Sequence, residues 1–192
     1  AFGKTMGEMG THPWSQGFPL TTQLPGGPEM PTNVYLDAED LKYPKAWGLP
    51  ALREAISSYY NHYYNAGIDC ENVMVFSGGR PGLMAMLMFL QPDINIRIAS
   101  TEYTPYYDML HLLQRKYSLV DSHVDNHFFP SVLDYVNTGN FDRNLVMLSN
   151  PCNPTGVTRS GNELKELVEK ASYGSFGLLI DEAYELFHDP PA

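Results

Sequence analysis

Two motifs, each at the end of a short apolar run, constrain this chain more than anything else in it. Leu145-Val146-Met147-Leu148 leads into Ser149-Asn150-Pro151-Cys152-Asn153-Pro154-Thr155-Gly156, and Gly177-Leu178-Leu179-Ile180 leads into Asp181-Glu182-Ala183-Tyr184. Apolar runs this short, bounded by turn residues, read as strands buried on both faces of a parallel sheet. In open α/β sheets, ligands sit just beyond the carboxyl ends of the strands. Asn153, Asp181 and Tyr184 should therefore converge on one ligand. An amide, a carboxylate and a phenol at one rim suit a polar aromatic ring with a basic nitrogen.

The rest of the chain supplies the frame for such a sheet. Residues 1–36 are rich in Gly, Pro and Thr without a steady period, and read as an arm or extended loop. A helix begins near Leu49 with Pro50 in a first-turn position. Leu52, Ile56, Tyr59, Tyr60 and Tyr63 then give it one apolar face, and Ala66-Gly67 supplies a glycine stop. Val73 to Phe76 reads as a strand. Pro81 to Leu90 reads as a helix, apolar nearly all round and hence buried. Ile94 to Ser100 is the next strand, Pro105 to Lys116 a helix, and Tyr117 to Val124 a strand. Ser131 to Asn137 reads as a short helix. Ser160 with Glu163 makes a capping box for a helix running to about Ala171. This alternation predicts an α/β fold, a mostly parallel sheet with helices on both faces.

Composition narrows the function classes. A net charge of -10 argues against a nucleic-acid surface, although a phosphate ligand needs only local donors. No apolar run approaches the roughly 20 residues needed to cross a membrane. The two cysteines, Cys70 and Cys152, are not expected to pair, which suggests a reduced, cytoplasmic protein. The six histidines show no tight ligand spacing, so no metal site is expected. Gly78-Gly79-Arg80 opens the Met-rich helix. A helix N-terminus offers free N–H groups and partial positive charge, which suit a phosphate. Pro81 supplies no N–H, so at most Gly79 and Arg80 donate from the backbone, with Ser77 a further possible donor.

The Ser149–Gly156 and Asp181–Tyr184 motifs together resemble those of the class I/II aminotransferases, type I fold enzymes dependent on pyridoxal 5'-phosphate. Three further segments agree: Tyr43 to Ile56 with its Gly48-Leu49-Pro50 entry, Val75 to Leu83, and Ser15-Gln16-Gly17-Phe18-Pro19. The resemblance runs from about Trp14 to the last residue. It implies that residues 1–36 are an N-terminal arm and residues 37–192 the first part of the large cofactor-binding domain. The rest of that domain, the small C-terminal domain and the Schiff-base lysine would lie beyond Ala192.

The resemblance also implies roles. Asp181 would keep the pyridine nitrogen protonated, while Asn153 and Tyr184 would bond the ring's phenolic oxygen. Ser77, Gly78, Gly79 and Arg80 would form the phosphate turn. Here the chain departs from the family, because Arg80 and Pro81 replace small or amide residues; Arg80 either reaches the phosphate or points to solvent. Tyr103 would stack on the ring, with Tyr106 the alternative register. Tyr43 would reach the phosphate of a neighbouring subunit in a homodimer. Gly17 would lie against the substrate carboxylate. The implied reaction is amino transfer between an amino acid and a 2-oxo acid. The same motifs also serve a lyase of this fold, or an aminotransferase-like sensor domain in a transcription regulator.

Overall fold

The alternating segments form five α-helices and four strands in the computed structural model, which describes residues 3–4, 8–12, 29–136, 143–174 and 176–187. The chain divides into two units, Ala1–Ala46 and Trp47–Ala192. In the first, the described residues form turns, bends and irregular chain. One turn is closed by Asp37, whose Oδ1 accepts the amides of Glu39 and Asp40. Tyr43 is fully exposed within this unit. Gly17 lies outside the described residues.

In the second unit, helix α1 (Pro50–Tyr64) is followed by α2 (Gly79–Phe89), β1 (Asn95–Ala99), α3 (Thr104–Leu112) and β2 (Tyr117–Val120). Then come α4 (Val132–Val136), β3 (Asn144–Ser149), α5 (Gly161–Tyr173) and β4 (Phe176–Asp181). The strands pair in parallel in the order β2-β1-β3-β4, with Ile98 beside Leu119, Ile96 beside Leu145 and Ser149 beside Asp181. The period of two in a strand sorts side chains by face. Ile96, Ile98, Leu145 and Met147 pack with Leu87 of α2 and Tyr106, Met109 and Leu110 of α3. Ala99, Val120, Val146 and Leu148 pack with Val132 and Tyr135 of α4 and Leu167 of α5. Helices thus cover both faces, and every residue of β3 is buried. Full burial of each such aliphatic side chain contributes roughly 1.5–3 kcal/mol.

Several elements depart from the sequence expectation. Val73 to Phe76 forms no strand and pairs with none among the described residues. The Val75 amide donates to the carbonyl of Trp47 (3.0 Å), and the carbonyl of Val73 accepts from Arg53 Nε (2.9 Å). Helix α1 stops at Asn65, not Gly67. Asn65 takes the left-handed cap position (φ 51°) with its amide on the carbonyl of Asn61, a conformation asparagine tolerates better than most residues. The expected apolar face of α1 is polar at its buried points, Arg53 and Ser57, while Leu52 and Tyr63 are exposed. Its tyrosines serve as donors: Tyr59 and Tyr64 hydroxyls bond Glu185, and Tyr60 bonds Glu182 (2.9 Å). Helix α2 buries only Leu87 and exposes Met86, Met88 and Phe89. Strand β2 ends at Val120, and Val124 opens a 3-10 turn. Ser160 caps α5 without a side-chain hydrogen bond, and Glu163 instead faces Arg159 at 3.9 Å.

Arg53 explains why a charged residue sits on the inner face of α1. Besides Val73, its Nη2 donates to the carbonyl of Cys70 (2.6 Å) and to Glu71 Oε1 (3.0 Å). The helix is thereby clamped to the segment that leads into α2. Gly48 is needed at the same junction. Its φ is +103°, and a Cβ there would lie 2.7 Å from Val75 Cβ.

Candidate active site

The carboxyl ends of β1, β3 and β4 and the N-terminus of α2 surround a cavity of about 190 Å³. It is lined by Gly79, Arg80, Tyr103, Asn153, Asp181 and Tyr184, with Leu83, Ser149 and Ala183. This is the strand-end rim where ligands of such sheets sit.

Each side chain is placed by local geometry. Asp181 ends β4, and its carbonyl accepts the Asn150 amide (2.9 Å) from the neighbouring strand end. Its Oδ2 accepts the Tyr106 hydroxyl (2.7 Å) and its Oδ1 the Ala183 amide (3.0 Å). Burial, and then the bond to Asp181, push the Tyr106 phenol well above its ordinary range, so it remains a neutral donor. Each carboxylate oxygen keeps a lone pair for a further donor.

The turn after β3 is fixed from inside. Asn150 is buried, donates Nδ2 to the carbonyl of Arg159 (3.0 Å) and accepts the Arg159 amide at Oδ1 (2.7 Å). Both Asn-Pro bonds of the turn are cis. The Asn153 amide donates to Ser149 Oγ (3.0 Å), and its side-chain Nδ2 lies 3.5 Å from the Tyr184 hydroxyl. The two groups expected to share one ligand oxygen therefore stand side by side.

At the opposite end, Gly78 precedes α2 with φ +103°, a left-handed conformation that favours glycine. Its own amide is taken by the carbonyl of Phe76 (2.8 Å). The amides of Gly79 and Arg80 open the helix and have no intrahelical acceptor. Ser77 and Gly78 are exposed and outside the cavity lining. The Arg80 guanidinium donates from Nε (2.8 Å) and Nη2 (2.7 Å) to the Tyr103 hydroxyl, so it is held against this ring. Tyr103 also meets the Tyr106 ring edge-to-face at 5.3 Å. Of the two tyrosine registers, Tyr103 lines the cavity and Tyr106 stands behind Asp181, fully buried.

Sequence reasoning missed Glu102, Ser149 and the part played by Tyr106. Glu102 is buried, and burial pushes its carboxyl up to about 6 against the downward pull of its bonds to Ser149. An acid next to a strand end carries no signal of burial in its spacing. Among the described residues of the second unit no lysine lines the cavity. Among the described residues no cluster of His, Cys, Asp or Glu is arranged to hold a metal, and no helix is long and apolar enough to cross a membrane.

Comparison with known proteins places this geometry. The model of the family described as aminotransferase class I and II matches residues 27–190. The aspartate aminotransferase of Sulfolobus acidocaldarius is 28% identical over 173 residues, covering 84% of this chain and 43% of that protein. The LL-diaminopimelate aminotransferase of Maridesulfovibrio salexigens is 25% identical over 188 residues, covering 91% of this chain and 48% of that protein. The structure of Thermus thermophilus aspartate aminotransferase with maleate superposes with a TM-score of 0.69 at 25% identity, over 75% of this chain and 38% of that one. The chain thus spans less than half the length of these relatives. With a parallel sheet, the two motifs at its strand ends and a family match over most of its length, the chain belongs to the class I and II aminotransferase family.

Proposed function

We propose that the protein is a pyridoxal 5'-phosphate-dependent aminotransferase, moving an amino group between an amino acid and a 2-oxo acid, and that this chain forms one wall of its cofactor site. The observation that carries the reading is the set of groups lining one cavity: the Asp181 carboxylate, the Asn153 amide, the Tyr184 phenol, the Tyr103 ring and the N-terminus of α2. This donor set fits the cofactor. Asp181 accepts from a ring nitrogen, and Asn153 and Tyr184 donate to a phenolic oxygen. Tyr103 presents a ring for stacking, worth on the order of 1 kcal/mol. The amides of Gly79 and Arg80 face an anionic group.

When bound, pyridoxal 5'-phosphate supplies an electron sink for charge developing at the substrate α-carbon. Asp181 contributes by holding a proton on the ring nitrogen. Tyr106 keeps that carboxylate in place, and its neutral phenol does not compete for the charge. Asn153 and Tyr184 stabilise negative charge on the phenolic oxygen. The proposal assigns the cofactor-anchoring lysine to none of the chain's six lysines. It takes residues 1–36 as an arm and residues 37–192 as part of the large domain of a cytoplasmic homodimer. There Tyr43 reaches the partner's phosphate site and Gly17 the substrate carboxylate, while Ser77 and Gly78 complete the phosphate turn. The relatives are named for aspartate, asparagine and LL-diaminopimelate, so no single amino acid is selected.

The test is amino transfer by the full-length protein from a panel of amino acids to 2-oxoglutarate in the presence of the cofactor. Glutamate formed in proportion to a new 2-oxo acid supports the proposal. Release of ammonia with no glutamate would assign a lyase, and saturable cofactor binding with no turnover would favour a sensor domain.

A further inference from the structure

We propose that Glu102 is the positioning residue of this site, a buried carboxylate that sets the backbone of Tyr103 directly and that of Asn153 through Ser149. The inference rests on the cofactor reading above and names what holds two of its contacts in place.

Glu102 follows β1 and is 5% exposed. Its Oε1 accepts the Ser149 amide (3.1 Å). Its Oε2 accepts the Ser149 hydroxyl (2.6 Å) and the Tyr103 amide (3.2 Å). An ionised carboxylate only accepts, so the single hydroxyl proton of Ser149 is committed to it. The lone pairs of Ser149 Oγ are then turned to the Asn153 amide at 3.0 Å. One carboxylate therefore orders the chain on both sides of the cavity, at the residue bearing the ring and at the residue bearing the amide.

A neutral side chain would hold a strand end at less desolvation cost. None of the ion pairs among the described residues includes Glu102. The charged and titratable groups facing it are Asp181 of β4, Tyr106 and Tyr107 of α3, Tyr135 of α4, and Cys152 and Arg159 beyond β3. Asp181 opposes its charge. Arg159 shares a narrow gap with it but directs Nη2 to the carbonyl of Pro130 and stacks on Phe129. What an acceptor-only group adds here is direction: it forces the Ser149 proton one way. Protonation near pH 6 ends that constraint, because the neutral acid must itself donate.

The experiment compares full-length wild type with Glu102→Gln and Ser149→Ala. Amide hydrogen exchange at Tyr103, Ser149 and Asn153 is read without cofactor, and pyridoxal 5'-phosphate affinity is read by spectral titration from pH 5 to 8. In E102Q, exchange at Tyr103 and Asn153 should rise, and affinity at pH 7.5 should fall, each by about tenfold, the scale of one lost hydrogen bond. Below pH 6 wild-type affinity should drop more steeply than that of E102Q, in which only the cofactor's own phosphate titrates. S149A keeps the carboxylate and the Ser149 amide bond, so exchange should rise at Asn153 alone; if E102Q does not fold, Glu102→Asp, whose shorter carboxylate draws back from Ser149 and Tyr103, takes its place, with exchange expected to rise at both Tyr103 and Asn153. Exchange and affinity within twofold of wild type in the folded variants would overturn the proposal. Wild type that shows no saturable cofactor binding would sink the cofactor reading, while the exchange data would still decide whether Glu102 positions Asn153.

Discussion

At Asp181 the site depends on single atoms. Its carboxylate is aimed by the Tyr106 hydroxyl and the Ala183 amide; an amide of the same shape keeps the Ala183 bond on its oxygen and meets Tyr106 with the direction reversed, its NH2 donating to the hydroxyl oxygen. Asp181→Asn should therefore retain cofactor but lose turnover by about 10³-fold, since an amide cannot hold a proton on the ring nitrogen. Steady-state kinetics beside a cofactor titration checks this. Glu102 has a stability signature of opposite sign to most carboxylates. Its folded value is raised to about 6, so the folded state binds the extra proton. Its contribution is present below the unfolded carboxylate range near 4.5 and is lost as pH rises through 6, about 2 kcal/mol in all. Denaturant titrations at pH 5 and pH 7 should show about 1 kcal/mol of this difference in wild type, since pH 5 still lies above the unfolded value, and a flatter response in Glu102→Gln. Asp181, Asn153 and Tyr184 were legible because each follows an apolar run in a motif. Ser149 and Glu102 were not, because their importance lies in a contact between two strand ends 47 positions apart in the chain.

At the scale of elements, Arg53 ties α1 to the approach to the α2 turn. Arg53→Ala removes three hydrogen bonds, takes the Nε donor from the Val73 carbonyl and leaves the Cys70 carbonyl with the Val73 amide alone. It should lower stability by about 3 kcal/mol, visible as a lower urea midpoint at unchanged slope. Strands β1, β3 and β4 could be read from sequence because their apolar runs are closed by turn residues. Val73 to Phe76 has the same pattern, yet its partners are the Trp47 carbonyl and the Arg53 side chain. A run of four apolar residues does not reveal which groups will bond its backbone. The exposure of α2 was illegible for a related reason, since an all-apolar helix announces hydrophobicity but not which neighbours cover it. The tyrosines of α1 misled because a phenol counts as apolar in a helical period, whereas here three of them donate to Glu182 and Glu185.

At the scale of the molecule, the sheet and its rim were legible in outline, because alternation of strands and helices leaves few topologies open. The 192-residue chain alone should have no aminotransferase activity. Among the described residues of the second unit no lysine lines the cavity, and Lys42, Lys165 and Lys170 pair with nearby glutamates. Borohydride treatment of the isolated chain with cofactor should trap no specific lysine, and trapping on one lysine together with turnover would show that the anchoring residue lies within it. The central claim, that Asp181 and its neighbours form a cofactor site, is tested most directly by a crystal structure of the full-length protein with pyridoxal 5'-phosphate. In it the ring nitrogen should lie within hydrogen-bond distance of Asp181, the ring against Tyr103, and the phosphate at Gly79 and Arg80. A cofactor seated elsewhere, with Asp181 touching none of its atoms, would contradict it.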